Sequence, residues 1–419
     1  MPEYLKIDSS HSARRSGGPL LLASLVVIAV LVVVVVVQLS RGVPAIRERT
    51  VLPASLAAPG TAAALPWPKH AAAAVAVDGL GSLGGVRTAE ARSLASVAKL
   101  FTALVILKQH PLHVGQSGPL ITITPADAAA YRADVAVHDS VLKVTAGERL
   151  TELQALEGML IPSADNLARL LAVWSDGSMA NFVQAMNNEA SALGLRDTHL
   201  VGPSGLNPAS VGTAPDMVKV AQAVMANPVL RQIVAMPAVT LPASGTVYNL
   251  DDVLGRDGVV GIKTGSTGLA GGNFVFASRH RVDGKTVTVL GAILGATGVD
   301  ALQNALNMGA KLGVVAARQI RRVVIVPSGR VVLELTAPWA HQITARTTRS
   351  LSILAIPGER VSVHVAVLPA LAQGRLHQIQ AGEQLATVEL DVNGHTTSLP
   401  ATASASIAAP SLAYKLERL

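Results

Sequence analysis

The sequence predicts a mixed α+β chain: an N-terminal transmembrane helix, a domain of antiparallel sheet plus a helical region, and a small all-β domain behind it. Three observations carry that prediction. Pro19 to Val37 is an uninterrupted apolar run with a single serine. Between residues 67 and 320, strand-like and helix-like periodicities follow one another. From Arg321 onward the pattern changes to short β segments, of which Val361-Ser-Val-His-Val-Ala-Val367 alternates most cleanly.

The apolar run is long enough to cross a hydrocarbon core of roughly 30 Å at about 1.5 Å per residue. A cleaved signal peptide carries an apolar stretch of about 7 to 15 residues followed closely by a small-x-small site. Gln38-Leu-Ser-Arg41 follows here instead, so residues 19–40 read as a retained anchor behind a tail of residues 1–18. Lys6, Arg14 and Arg15 precede the span and Arg41, Arg47 and Arg49 follow it, so charge alone leaves its orientation open. Residues 41–66, rich in Ala and Pro toward their end, read as a linker off the membrane.

Within 67–320, His70 to Val86 alternates as strands do, and helices are predicted over 151–161, 166–174, 179–193 and 216–226. Thr151-Glu-Leu-Gln154 is a capping-box signature for the first of these. Gly258 to Leu294 reads as two or three antiparallel strands with a hairpin at Asp283-Gly284, and Val299 to Arg318 as a closing helix. Beyond Arg321, Leu385 to Val392 is a strand ending at an Asn393-Gly394 turn.

Three short pieces carry chemistry. Ser96-Val-Ala-Lys99 opens an apolar pattern (Val97, Leu100, Phe101, Leu104) that fits a buried helix ending near Pro111. Residues three apart share a helix face, which brings the Lys99 amine to the Ser96 hydroxyl. A serine hydroxyl is a poor nucleophile without a base, and a desolvated lysine beside a second cation serves as one. Ser140-Val-Leu-Lys143 has the same spacing, but 135–144 reads as an extended surface strand on which residues three apart point to opposite faces. Ser163-Ala-Asp-Asn166 is the second piece. The third, Lys263-Thr-Gly265, lies among glycines that permit close approach of another backbone, so that a substrate peptide adds to this edge as a strand. Lys263 and Thr264 then meet a carboxylate, and the backbone N–H groups of Ser96 and Ser266 form an oxyanion hole.

The ensemble resembles the D-alanyl-D-alanine carboxypeptidases, the low-molecular-mass penicillin-binding serine peptidases of cell-wall synthesis. Leu193-Gly-Leu-Arg-Asp-Thr198, Gly205-Leu-Asn207, Thr213-Ala-Pro-Asp-Met217 and Asn249 extend the likeness. The resemblance implies a β-lactamase/transpeptidase-like domain with the active site between sheet and helical region. It also implies an acyl-enzyme on Ser96 formed from the penultimate D-alanine of a peptidoglycan stem peptide, with β-lactams as covalent mimics. Lys99 is then the general base and Ser163 a proton relay, and Lys263, Thr264, Gly265 and Ser266 bind substrate. One departure stands out. The second element of that family usually reads Ser-x-Asn, whereas Asp165 holds the third place here and Asn166 the fourth, so either Asp165 or Asn166 meets the substrate amide.

Composition agrees with these readings. The net charge of +7 suits an exported protein near anionic polymers, while aromatics at 3% without a basic, aromatic-interleaved motif exclude nucleic acid. There is no cysteine. No metal or organic cofactor is implied: His364 and His377 read as surface residues, and His110 and His113 lack the partners of a zinc site. The competing readings are a DD-endopeptidase of wall crosslinks, a β-lactamase-like hydrolase and a non-catalytic wall scaffold. A wall enzyme works outside the cell, which places the N-terminus in the cytoplasm. Residues 413–419 are too short for a C-terminal anchor, leaving 321–419 as a stand or partner-binding surface.

Overall fold

The computed structural model describes residues 18–392 and 394–417. The predicted cytoplasmic tail, save Gly18, and Asn393 of the predicted turn lie outside the described residues. The first element is the helix Gly18–Ser40, whose stretch Leu21–Ser40 has a mean hydropathy of 3.2 and buries almost nothing against the rest of the chain. A helix apolar all round and so largely exposed is suited to lipid.

The central sheet is five-stranded and antiparallel, in the order Val259–Thr267, Gly271–Val282, Lys285–Ala296, Ala72–Val77, Gly81–Val86. The hairpin at Asp283-Gly284 is present as predicted, pairing Val282 with Lys285. One face is covered by the helix Ala301–Ala317. Gly309 and Gly313 let that helix down onto Phe274 and Ser278, because a Cβ at either position would stand 2.6 Å from the Phe274 ring or 2.5 Å from the Ser278 hydroxyl. The other face meets a helical region inserted between the Gly81–Val86 and Val259–Thr267 strands. Its helices pack Leu100, Phe101, Leu156, Leu171, Phe182 and Val220 into one core with Val275, Leu290 and Ala292 of the sheet. This is the predicted layering, and it leaves the Val259–Thr267 strand at the sheet edge.

Two sequence expectations are overturned. Residues 135–144 are not a strand: the helix Pro125–Ala136 runs into them, and the remainder is irregular. Thr124 starts that helix with a capping box to Asp127 and Pro125 in its first turn, and this local signal prevails over the β-branched residues downstream. Residues 41–66 are not a free linker either. Arg47–Thr50 pairs with Val331–Ala337, and Ser55–Ala57 pairs with Arg360–Val367, so this stretch supplies both edges of the C-terminal seven-stranded sheet. Ile46, Leu52 and Ala58 are buried in that sheet's core beside Val332, Val361 and Leu390. The partner strands lie about 280 to 310 residues away, so no local pattern announces these strands. The all-β character of the C-terminal region holds, with Arg360–Val367 and Gln384–Val392 as adjacent strands.

Candidate active site

Ser96 stands in a single 3-10 turn, Ala95–Ala98, that leads directly into the helix Lys99–Gln109. The turn is forced. Ala95 holds φ 46°, a conformation disfavoured for a residue with a Cβ, and its carbonyl is met by Gly205, where a Cβ would lie 1.8 Å from the Ala95 oxygen. On the other side runs Gly265, whose Cβ would come within 3.0 Å of the Ser96 nitrogen. Glycine at 205 and 265 thus lets two segments clamp the serine turn from opposite sides. The Ser96 side chain remains partly open to solvent while Lys99 is wholly buried.

Lys99 Nζ lies 2.8 Å from Ser96 Oγ, 2.5 Å from Asp165 Oδ1 and 3.0 Å from the Ser204 carbonyl oxygen. A neutral lysine has two N–H donors and one lone pair. Here Lys99 Nζ donates to all three oxygens; once neutral, it keeps two donors for Asp165 and Ser204 and can turn its lone pair to the Ser96 hydroxyl. Ser204 is held in place by its neighbour: the Thr102 hydroxyl donates to the Pro203 carbonyl at 2.7 Å. The Ser204 carbonyl was not singled out by sequence reasoning, although the Gly205-Leu-Asn207 turn that presents it was.

Asp165 and Asn166 open the helix Asp165–Asp176, a favourable place for a carboxylate near the positive end of the helix dipole. The structure separates their tasks. Asp165 turns onto Lys99, and its backbone N–H donates to the Ser140 carbonyl at 2.7 Å. Asn166 turns away from the cleft: its carboxamide accepts from Leu142 N–H at 3.0 Å and donates to Leu142 carbonyl at 2.9 Å. Of the open pair, Asn166 is thus the one engaged with Leu142 and Asp165 the one engaged with Lys99, and both hold the Ser140-Val-Leu-Lys143 loop. Ser163 has φ 70°, and its Oγ is buried with no hydrogen-bond partner among the described residues.

Lys263 and Thr264 are buried, whereas Ser266 is exposed at the mouth. Lys263 pairs across the strand with Val275, which belongs to the core shared with the helical region, so its side chain lies on the face of the sheet that packs against the helices. Burial and the neighbouring Lys99 charge push Lys263 down to about 7. Burial also lowers Lys99, against an opposing pull from Asp165, and raises Asp165 against the pull of Lys99. Behind the strand, buried Asn273 donates to the Ser93 carbonyl at 2.9 Å and accepts from Gly295 N–H at 2.8 Å, tying the sheet to the segment before Ser96. A hydroxyl, a buried amine hydrogen-bonded to it and a second buried amine acting on the first thus stand beside the edge strand of the sheet, a grouping that can support acyl transfer.

The sequence profile of the D-alanyl-D-alanine carboxypeptidase family matches residues 67–296. The D-alanyl-D-alanine carboxypeptidase DacB2 of Mycobacterium tuberculosis is 35% identical over 191 residues, 44% of this chain and 61% of that one. A D-alanyl-D-alanine endopeptidase of Escherichia coli is 28% identical over 43% of this chain and 57% of its own length. The chain spans only about half to three fifths of the length of these curated relatives. Among solved structures, the Streptomyces K15 DD-transpeptidase is similar at a TM-score of 0.52 and 29% identity, covering 59% of this chain and 99% of that one. Penicillin binding protein 5 of Haemophilus influenzae shares the fold over 83% of this chain and 98% of its own, at a TM-score of 0.56 and 18% identity.

Proposed function

The chain belongs to the D-alanyl-D-alanine carboxypeptidase family, and from that premise we propose that it is a serine-type peptidase that removes the terminal D-alanine from peptidoglycan stem peptides. The observation that carries this reading is Lys99 Nζ, 2.8 Å from Ser96 Oγ and otherwise engaged by Asp165 and Ser204.

The peptide lies along the open edge of the Val259–Thr267 strand, its terminal carboxylate toward Lys263 and Thr264. Neutral Lys99 takes the Ser96 proton as Oγ attacks the penultimate D-alanine carbonyl. The tetrahedral oxyanion is met by the backbone N–H groups of Ser96 and Ser266. Collapse breaks the peptide bond, and the proton passes from Lys99 through the Ser163 hydroxyl to the departing amine of the terminal D-alanine. Water then attacks the Ser96 ester with Lys99 accepting its proton, and as the C–O bond to Ser96 breaks Lys99 returns that proton to Oγ, releasing the shortened peptide and restoring the free serine. β-Lactams acylate Ser96 by the same first step. Asp165 acts on the base rather than on the substrate, which explains how the site tolerates a carboxylate at that place.

The Gly18–Ser40 helix is the anchor, with the N-terminus cytoplasmic and the catalytic domain on the outer side, where the substrate lies. The similarity to endopeptidases favours a second reading, in which the scissile bond is a crosslink between stem peptides. Labelling the full-length protein with a fluorescent penicillin, followed by peptide mapping, tests the proposal. The label is expected on Ser96 and is lost in Ser96→Ala. Labelling that survives that substitution refutes the assignment, and a D-alanine release assay separates the two readings.

A further inference from the structure

The all-β region has no task in the mechanism above, yet one end of it touches the apolar span. Along the Gly18–Ser40 helix the large apolar side chains from Leu21 to Val33 are 55% to 67% exposed. Val34, Val35 and Leu39 fall to between 40% and 43%, and Gln38 to 4%. Positions 34, 35, 38 and 39 share one helix face. The patch that protein covers therefore lies in the last two turns of the span, and the helix Leu412–Leu416 packs against that span.

Depth follows from the helical rise. Leu21–Ser40 is about 30 Å long, the thickness of a hydrocarbon core, and Val34 to Ser40 is its final ~9 Å. A segment beside residues 34–39 accordingly stands at the boundary between acyl chains and headgroups. Its composition fits that level. Leu412 is 63% exposed, Lys415 lies in the last turn of the short helix, and the Tyr414 ring stands 5.9 Å from that of Trp339. Trp339 sits in the turn between the strands Val331–Ala337 and Ala340–Thr347, and its indole N–H donates to the Ala408 carbonyl at 2.9 Å. Tryptophan, tyrosine and lysine around an apolar side chain settle at a membrane surface, with rings and stems toward the acyl region and polar ends among the headgroups.

Resting on the reading of Gly18–Ser40 as the anchor, we propose that Leu412–Leu416 and the Trp339 turn form a footing in the outer leaflet of the bilayer, with Leu412 against acyl chains and Lys415 among lipid phosphates. The footing grips the emerging end of the span. Residues 41–46 alone separate that end from Arg47–Thr50, which pairs with Val331–Ala337, the strand leading into the Trp339 turn. The span, the sheet and the footing are thus joined at the membrane surface, and the all-β domain is held in one orientation where a single span would let it swing.

The chain has no cysteine, so Leu412→Cys and, as an aqueous reference, Leu269→Cys each take one environment-sensitive fluorophore. Leu269 is 83% exposed in the turn joining Val259–Thr267 to Gly271–Val282. Full-length protein is reconstituted into vesicles of phosphatidylcholine and phosphatidylglycerol, with or without brominated acyl chains. The label at 412 is expected to lose most of its emission to bromolipid, and the label at 269 almost none. Negligible quenching at both positions in protein that floats with the vesicles overturns the proposal. So does a blue-shifted label at 412 that bromolipid leaves bright, since protein rather than lipid then covers the helix. Unlabelled protein gives a second readout: with three tryptophans in the chain, bromolipid should remove up to about a third of the tryptophan emission in wild type and none in Trp339→Phe. Equal losses in the two proteins overturn the proposal as well. Protein that fails to float with vesicles overturns the anchor reading and the footing with it, a result distinct from a floating protein whose label stays in water.

Discussion

Replacing Asp165 by asparagine exchanges one carboxylate oxygen for an amide nitrogen and removes one charge beside Lys99. The new carboxamide keeps an acceptor toward Lys99 Nζ, which in the native protein sits 2.5 Å from a carboxylate in a fully buried site. A contacting opposite charge raises the affinity of an amine for its proton by about 1 to 3 pH units. Removing it should lower Lys99 by about two units, or ~3 kcal/mol. Acylation requires neutral Lys99, so its rate rises as pH passes upward through the Lys99 value. In Asp165→Asn that rise should occur about two units lower, giving up to about a hundredfold faster acylation on the acid side. The plateau at high pH should fall a few-fold, because a less basic lysine draws the Ser96 proton more weakly. The assay is the second-order rate of fluorescent penicillin acylation between about pH 5 and 10, with thermal melting as a control for folding. An acid limb that stays in place refutes the reasoning, since Asp165 then does not govern the base.

Two further predictions concern the scaffold. Asn166→Ala removes two buried hydrogen bonds and orphans both backbone groups of Leu142. It should cost about 2 to 4 kcal/mol, read as a lowered Tm, and should slow acylation by freeing the Ser140 loop; an unchanged Tm argues against that role. Glu152 is fully buried, neither carboxylate oxygen has a partner among the described residues, and burial raises it to about 7. An acid whose folded pKa lies above its unfolded value loses stability as pH rises from the unfolded value of 4.5 to about 7. Glu152→Met should therefore match wild type near pH 4 and melt several degrees higher at pH 8; parallel Tm curves for the two proteins would show that Glu152 is not protonated in the fold.

Much of the catalytic layer was legible along the chain because its signals are local. Ser96 and Lys99 are three residues apart on one helical path, Thr151-Glu-Leu-Gln154 is a capping box in fact, and Asp283-Gly284 turns a hairpin. Where non-local pairing decides, the reading failed. The strands at Arg47–Thr50 and Ser55–Ala57 have Ala/Pro-rich neighbours and exist because the edges of a distant sheet receive them. The 135–144 segment shows β-branched residues but is shaped by a capped helix behind it and by Asn166 and Asp165 in front.

The sequence by itself determined which groups can react: a hydroxyl and an amine at helical spacing, a second hydroxyl, a second amine among glycines, and an apolar run of membrane-spanning length. Each follows from chemistry or periodicity within a few residues. Only the tertiary structure decided what each group touches. Adjacent helical residues point about 100° apart, so Asp165 and Asn166 face different ways, and the packing of the helical region decides that one meets Lys99 and the other Leu142. Lys99 likewise gains the Ser204 carbonyl from 105 residues away. Contacts between segments so distant in sequence depend on how layers pack, and no local pattern encodes that.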